Sequence, residues 1–539
     1  MKKRLFAMAL CAVLSAGTVM SALPAAAAEA SEQVLNVYKN NEPATLDRTA
    51  STIDEAGKFI LYDASEPLFR IENGETVEAG CESYTYDEDT MTYTFTLRDN
   101  QWEDGVAVTA ADYLYSFQRM VDPNTAYGYV SDLYCIENAE AINSGEKDVS
   151  ELGVTAPDDK TLVIKLNEVT PSFLEVVPMY PMRQDFVESC GDSYGIDADK
   201  FLSCGPFKLS SWEHNSSISM VKNENYWDAA NVKLEQVNVA LTNDSNTLYT
   251  SMLNGTLDYM QTSKSEYIDE FEGRDDVVVS DNVTPTLGFI VFNCEDEVMS
   301  NVKVRQAFSL AMNRELFTEV LYNGLFLPAY GLLSSAIGID GVSYRDKVEE
   351  PLKALAEEYP DPKELLIEGL TELGMDPDPS NLEVTLSMGG TTAGSNNQMA
   401  LFQQCFQETL GVTVVPDQTE WASFWTDCKA GDYQMGFLAW SGEVDISFLF
   451  NLFLSDSAQM PCFYYTEAYD DIVNEANKTT DADKRFELYG EAEKMVIVDQ
   501  CQIIPICYNV IKDVLRSKVK GWDYNVFSTA GHKGVYIEE

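Results

Sequence analysis

Met91-Thr92-Tyr93-Thr94-Phe95-Thr96-Leu97 runs through Trp102-Glu103-Asp104-Gly105 into Thr109-Ala110-Ala111-Asp112, and this stretch decides the fold class. Met91, Tyr93, Phe95 and Leu97 share one face and three threonines the other, the period of two expected of a half-buried strand. Asp104-Gly105 is a hairpin-type turn signal. Thr109 reads as an N-cap, with Asp112 where a capping box sets its acid, so a helix is predicted over Ala110–Met120, stopping near Asp122-Pro123. Before it, Leu35–Tyr38 reads as a short strand closed by the turn-rich Asn40-Asn41-Glu42-Pro43. After it, alternating strands are predicted at Leu162–Leu166, Ile218–Val221 and Val237–Leu241, with Gly205-Pro206 as a break. Helical periodicity covers Asn301–Tyr322, Pro362–Leu373, Gln398–Leu410 and Ala482–Asp499. Strands are expected between and after them at Leu382–Met388, Val412–Val415, Met435–Trp440 and Ile503–Tyr508. The order is mixed, α+β or α/β, without internal repeat, and a domain change is expected near Pro285.

The chain has 539 residues, 45% hydrophobic and 11% aromatic, enough for two or three folded domains. Against 36 Lys plus Arg stand 88 Asp plus Glu, a net charge of −52 that repels phosphate backbones and anionic membranes. No nucleic-acid or lipid-surface partner is therefore expected. Only two histidines exist, His214 and His532, which disfavours His-based metal sites and Ser-His-Asp or Cys-His catalysis. His214 lies in Ser211-Trp212-Glu213-His214-Asn215, a turn between strands, and is expected to be exposed. Carboxylate pairs for glycoside hydrolysis can be drawn anywhere in so acidic a chain and carry no information. The chain is read as a non-enzyme without a cofactor or metal, a secreted hydrolase being the alternative of another class.

Met1-Lys2-Lys3-Arg4, an apolar run from Leu5 to Leu23 and Pro24-Ala25-Ala26-Ala27-Ala28 have the plan of a secretory leader, residues 1–28, cleaved after Ala28. The alternative is a retained membrane anchor. Cys11, preceded by Leu10 inside the apolar run, fits a lipid-anchor site poorly. The mature chain is expected outside the cytoplasm, periplasmic or extracellular and associated with the cell envelope. Its best local cysteine pair is Cys190 with Cys204, flanking 13 residues. A bridge there would stabilise by about 3 kcal/mol on the chain-entropy model.

Several motifs occur in one order. They are Asn41-Glu42-Pro43-Ala44-Thr45-Leu46-Asp47, Glu66-Pro67-Leu68-Phe69, the Cys81–Asp112 stretch, Cys204-Gly205-Pro206-Phe207, Asn223-Glu224-Asn225-Tyr226-Trp227, Val304-Arg305-Gln306-Ala307 and Ala311-Met312-Asn313-Arg314-Glu315. Together they resemble the extracellular solute-binding proteins of oligopeptide and dipeptide ABC importers, over about residues 35–525. The resemblance implies a hinged, type II-like two-lobe α/β periplasmic-binding-protein-like fold with an extra subdomain in the first lobe. Lobe I would comprise 29–72, 202–287 and 507–539, its subdomain 73–201, and lobe II 288–506. It further implies capture of a peptide, or another small solute such as a sugar, nickel complex or amino-acid derivative, for delivery to a membrane permease. The sequence has no GxxxxGK[ST] phosphate loop, so ATP would be bound elsewhere.

By the same resemblance an extended peptide would lie between Glu42-Pro43-Ala44 and Ala439-Trp440-Ser441, bonded through its main chain to both. Relatives set an acid three residues after a tryptophan against the ligand ammonium; here that acid is Glu443, or Asp445 if the register slips. A cleft favouring free amines is expected. For a ligand carboxylate Lys429, Arg345, Arg183 and Lys303 are the candidates, none placed by motif. Trp421, Phe424 and Trp425, at helical spacing, are expected in the core.

Overall fold

The computed structural model describes residues 33–50, 53–72, 75–177, 179–457, 459–524, 527 and 531–538; the leader 1–28 and Cys11 lie outside them. The first strand, Val34–Lys39, runs parallel to Gln236–Leu241, which continues antiparallel through Ser217–Lys222 to Phe207–Glu213. Leu35, Val37, Ile218, Met220, Val237 and Val239 alternate inward, and helix Glu55–Ala64 buries Ile60 and Leu61 in the same core. Asp54 caps that helix, accepting from the Gly57 N–H at 2.8 Å.

A second four-stranded sheet, in the order Cys81–Asp87, Thr92–Leu97, Thr161–Lys165, Val154–Asp158, packs against helix Ala110–Val121. Tyr93, Phe95 and Leu97 are buried as their alternation requires, and the Thr109 N–H donates to the Asp112 carboxylate at 2.8 Å. Met91 departs from the expectation: it sits in the preceding turn with φ 51°, and the strand begins at Thr92. Met182, Val187, Tyr194 and Phe201 pack with the first sheet, not with this second core.

The largest sheet spans both lobes in the order Tyr259–Thr262, Ile503–Arg516, Val277–Phe292, Met435–Ser441, Glu383–Gly389, Thr413–Thr419, with Leu327–Pro328 also pairing to Ile503–Arg516. Its two long strands, Val277–Phe292 and Ile503–Arg516, run from one lobe into the other. Their ladder breaks where Val283 faces Val510 and Leu287 faces Tyr508, leaving Thr284-Pro285-Thr286 out of register. Proline has no N–H for the ladder, so a bulge is favoured at Pro285. Beyond it, two cores fill the second lobe on opposite faces of the sheet. The helix expected over Asn301–Tyr322 is two, Val302–Ala311 and Arg314–Tyr322: the first ends with Met312 as its extended C-cap, and Asn313 caps the second, accepting from the Leu316 N–H at 2.9 Å. Among the described residues no helix is long and apolar enough to cross a membrane.

The Cys190–Cys204 bridge expected from sequence is not formed; both are free thiols. Cys204 is fully buried, its sulfur accepting from the Glu66 N–H at 3.4 Å, within the subdomain core. Cys190 ends helix Gln184–Cys190 and packs on the first-lobe core. The intervening residues thus hold the two thiols in different cores.

Candidate ligand-binding cleft

Strand Met435–Ser441 pairs along one side with Val277–Phe292, placing Ala439 opposite Gly288, Trp440 opposite Leu287 and Ser441 opposite Thr286. Along its other side the pairing with Glu383–Gly389 covers only Met435, Gly436 and Phe437. Ala439-Trp440-Ser441 therefore keeps one backbone edge unpaired among the described residues, with Ala439 and Ser441 exposed. In the first lobe, Glu42-Pro43-Ala44 follows directly on an edge strand. Pro43 is buried and Ala44 exposed, while Glu42 is drawn back onto the hairpin at Trp212–Asn215.

Trp440 is half-buried, edge-on to Trp425 at 6.0 Å, and Trp425 lies parallel to Trp421 at 6.2 Å. Only Phe424 of the expected core trio is buried; Trp421 is 54% exposed. Helix Trp421–Ala430 buries a narrow stripe through Phe424 and Cys428, so Trp421 and Trp425 fall beside it and form an aromatic platform. Lys429 stands over Trp425 at 5.3 Å.

The two candidate acids differ. Asp445 accepts from Ser172 Oγ of the subdomain at 3.0 Å, and from Ser447 N at 3.0 Å and Ser447 Oγ at 2.8 Å, so its lone pairs are engaged. Glu443 is exposed and forms no ion pair among the described residues; partial desolvation raises its pKa, Lys58 pulling the other way. Sequence reasoning missed two partners of this cluster. Burial, then the nearby Glu443, pushes Asp132 up to about 6. Burial, then Asp445 and Asp340, pushes Glu175 up to about 7. Nothing local marks either among 88 acids; only the fold gathers them. A 420 Å³ cavity opens beside them, lined by Ile71, Glu175, Asp340, Val444, Trp522 and Tyr524, thus by both lobes, the subdomain and the C-terminal segment.

Most candidate cations are engaged elsewhere. Arg345 forks onto the buried Glu493 at 2.6 and 2.7 Å, Arg183 pairs with Asp104 and Asp185, and Lys303 with Glu368 and Glu372. Lys429 has no ion pair among the described residues. Arg48, stacked on Tyr180 at 5.1 Å, is a cleft-side cation that no motif singled out. The described residues contain no group of three or more His, Cys, Asp or Glu that could hold a metal.

Residues 75–460 match the model of bacterial extracellular solute-binding proteins, family 5, middle part. The chain belongs to this family. The dipeptide-binding protein DppE of Bacillus subtilis is 30% identical over 498 residues, 91% of this chain and 89% of that one. Among solved structures, the unliganded open form of the murein tripeptide-binding protein MppA superimposes with a TM-score of 0.81 at 25% identity, covering 94% of this chain and 98% of that one. Peptide-bound OppA of Listeria monocytogenes gives 0.68 at 27% identity, with coverage of 94% and 100%. The two-lobe α/β architecture is thus that of family 5.

Proposed function

We propose that this family 5 protein is the exported receptor of an ABC importer, capturing peptides between its lobes and passing them to the membrane permease without chemistry of its own. The carrying observation is the unpaired backbone edge at Ala439–Ser441 among the described residues; Glu42-Pro43-Ala44 is assigned to the opposite wall. An extended peptide offers alternating N–H and C=O groups to such an edge whatever its side chains, while the Trp440–Trp425–Trp421 platform and the cavity accept what projects from it. Glu443, which forms no ion pair among the described residues, is assigned to the ligand ammonium, and Asp445 to holding the lobes through Ser172. The lobes rotate about Thr284-Pro285-Thr286 and the facing Asn509, with lobe I taking 29–72, 202–287 and 507–539, lobe II 288–506, and the subdomain 73–201, whose last stretch, from Met182 to Phe201, packs back on lobe I. Residues 1–28 act as the export leader.

A thermal-shift screen of di- to pentapeptides tests this. Ligand at 100 times Kd, binding only the native state, adds about 2.7 kcal/mol of stability. A raised Tm with peptides, and no hydrolysis product in the mixture, is the expected result. A shift given by a sugar or nickel complex and by no peptide would overturn the substrate.

A further inference from the structure

Glu42 sits in the stretch assigned to ligand, yet its carboxylate turns away from the cleft into three donors on one hairpin. Trp212 Nε1 donates at 2.8 Å, the Asn215 N–H at 2.9 Å, and His214 Nδ1 lies at 2.5 Å. The hairpin joins Phe207–Glu213 to Ser217–Lys222 and turns on Asn215, whose φ is 59°. Trp212 is buried in the first-lobe core and its ring lies 5.2 Å from that of His214. Residues 40–44 form no backbone–backbone hydrogen bond among the described residues. Their place is set by side chains: Glu42 on the hairpin, Asn41 on Asp54 at 2.9 Å, and the buried Pro43.

We propose that Trp212 and His214 are positioning residues that fix the Glu42–Ala44 backbone for ligand. The inference rests on the reading that Glu42–Ala44 touches the ligand. A backbone held in its bound conformation loses less freedom on binding, so whatever tightens the Glu42 contact raises affinity. The Glu42 carboxylate makes all three of these bonds charge-assisted, about twice as strong as bonds between neutral groups. The groups facing His214 are acidic on both sides: Glu42 at Nδ1, and Asp197 with its Oδ2 3.9 Å from Nε2. Next to Asp197, Asp199 and Lys200 pair with each other at 2.9 Å, and no Lys or Arg pairs with Glu42 or Asp197 among the described residues. Burial works to raise the Glu42 pKa, but the bonds from His214, Asn215 and Trp212 outweigh it and hold the carboxyl below its ordinary value. Glu42 thus presents a charged acceptor to the three donors.

The probe is an uncharged peptide, acetylated at its N-terminus, amidated at its C-terminus and apolar in its side chains, so that the acids of the cleft have no charge to act on. Calorimetry on the full chain at one pH should show His214→Ala and Trp212→Phe, which keeps a ring and loses the donor, binding roughly three- to tenfold more weakly than the parent. His214→Asn, at a half-exposed position, keeps a donor and should restore most of the affinity that His214→Ala loses. Parental affinity in Trp212→Phe, or an equal loss in His214→Ala and His214→Asn, would overturn the inference. Failure of the parent to bind any peptide, free or blocked, would instead overturn the peptide reading beneath it.

Discussion

Glu443 and Asp445 are two residues apart, and the fold gives them different tasks. Asp445 is saturated by Ser172 and Ser447, so Asp445→Asn should lower stability by about 1–2 kcal/mol while leaving any preference for free over acetylated peptides unchanged. Glu443→Gln should leave Tm near that of the parent and cut that preference about tenfold, about 1.4 kcal/mol. Calorimetry with both peptides and a thermal scan of each variant separates the two; a tenfold loss in Asp445→Asn would reverse the assignment. The residues most legible in the sequence turn out to be struts. Glu66, from one quoted motif, accepts from Tyr226 Oη at 2.8 Å and Trp227 Nε1 at 2.7 Å, from another, and from the buried Arg70 at 2.6 Å. Arg305 and Arg314 are buried against backbone carbonyls, Gln500 and Cys501 for the first, Ala329 and Pro505 for the second. Such motifs spell packing, which an ordered series in one sequence reveals. Asp132, Glu175 and Arg48 have no such signature, because their meaning depends on chain segments that only tertiary structure brings together.

Strands and helices were legible wherever a period was strong and one-sided, as at Thr92–Leu97 and Pro362–Glu372. Misreadings fall where a local turn competes with the period: Met91 in a left-handed turn, and Asn313 splitting one apolar stripe into two helices. Trp421 and Trp425 misled for another reason, since an aromatic spaced for burial is equally spaced to line a platform beside the buried stripe. Gly205-Pro206 was readable as a break, but its cause is a close approach. A Cβ at Gly205 would stand 2.5 Å from the Asp63 carbonyl oxygen and 2.7 Å from the Ser65 nitrogen, backbone atoms that do not yield as a flexible side chain does. Gly205→Ala should therefore destabilise by about 2 kcal/mol or more, read from urea midpoints. An unchanged midpoint would show that the end of helix Glu55–Ala64 is free to shift.

The whole molecule carries −52 charges, and its buried acids set how stability follows pH. Glu175 is raised to about 7, Asp132 to about 6, and burial lifts Asp513, in the long crossing strand, to about 6. A folded pKa above the unfolded value means the native state holds protons the unfolded chain has lost. That contribution is full below about pH 4 and disappears as pH climbs through 6 to 7. The Tm should thus be higher at pH 5 than at pH 7.5, and neutralising Glu175→Gln should shrink the difference; equal values at both pH would contradict it. The same molecule ties its two ends together. Gln33 exchanges hydrogen bonds with the Ile537 backbone, 504 residues away, at 2.7 and 3.0 Å, and His532 is locked on Asp63 through its N–H at 2.7 Å and its ring Nδ1 at 2.5 Å. A ribosome making this chain from the N-terminus meets a strict order of events: the first-lobe core stays unfinished until nearly the last residue has emerged. Closing loops of that length makes folding slow, whereas the buried cores of the second lobe, drawn from residues between Leu287 and Tyr508, close shorter ones. A chain built this way remains threadable for as long as it is being made.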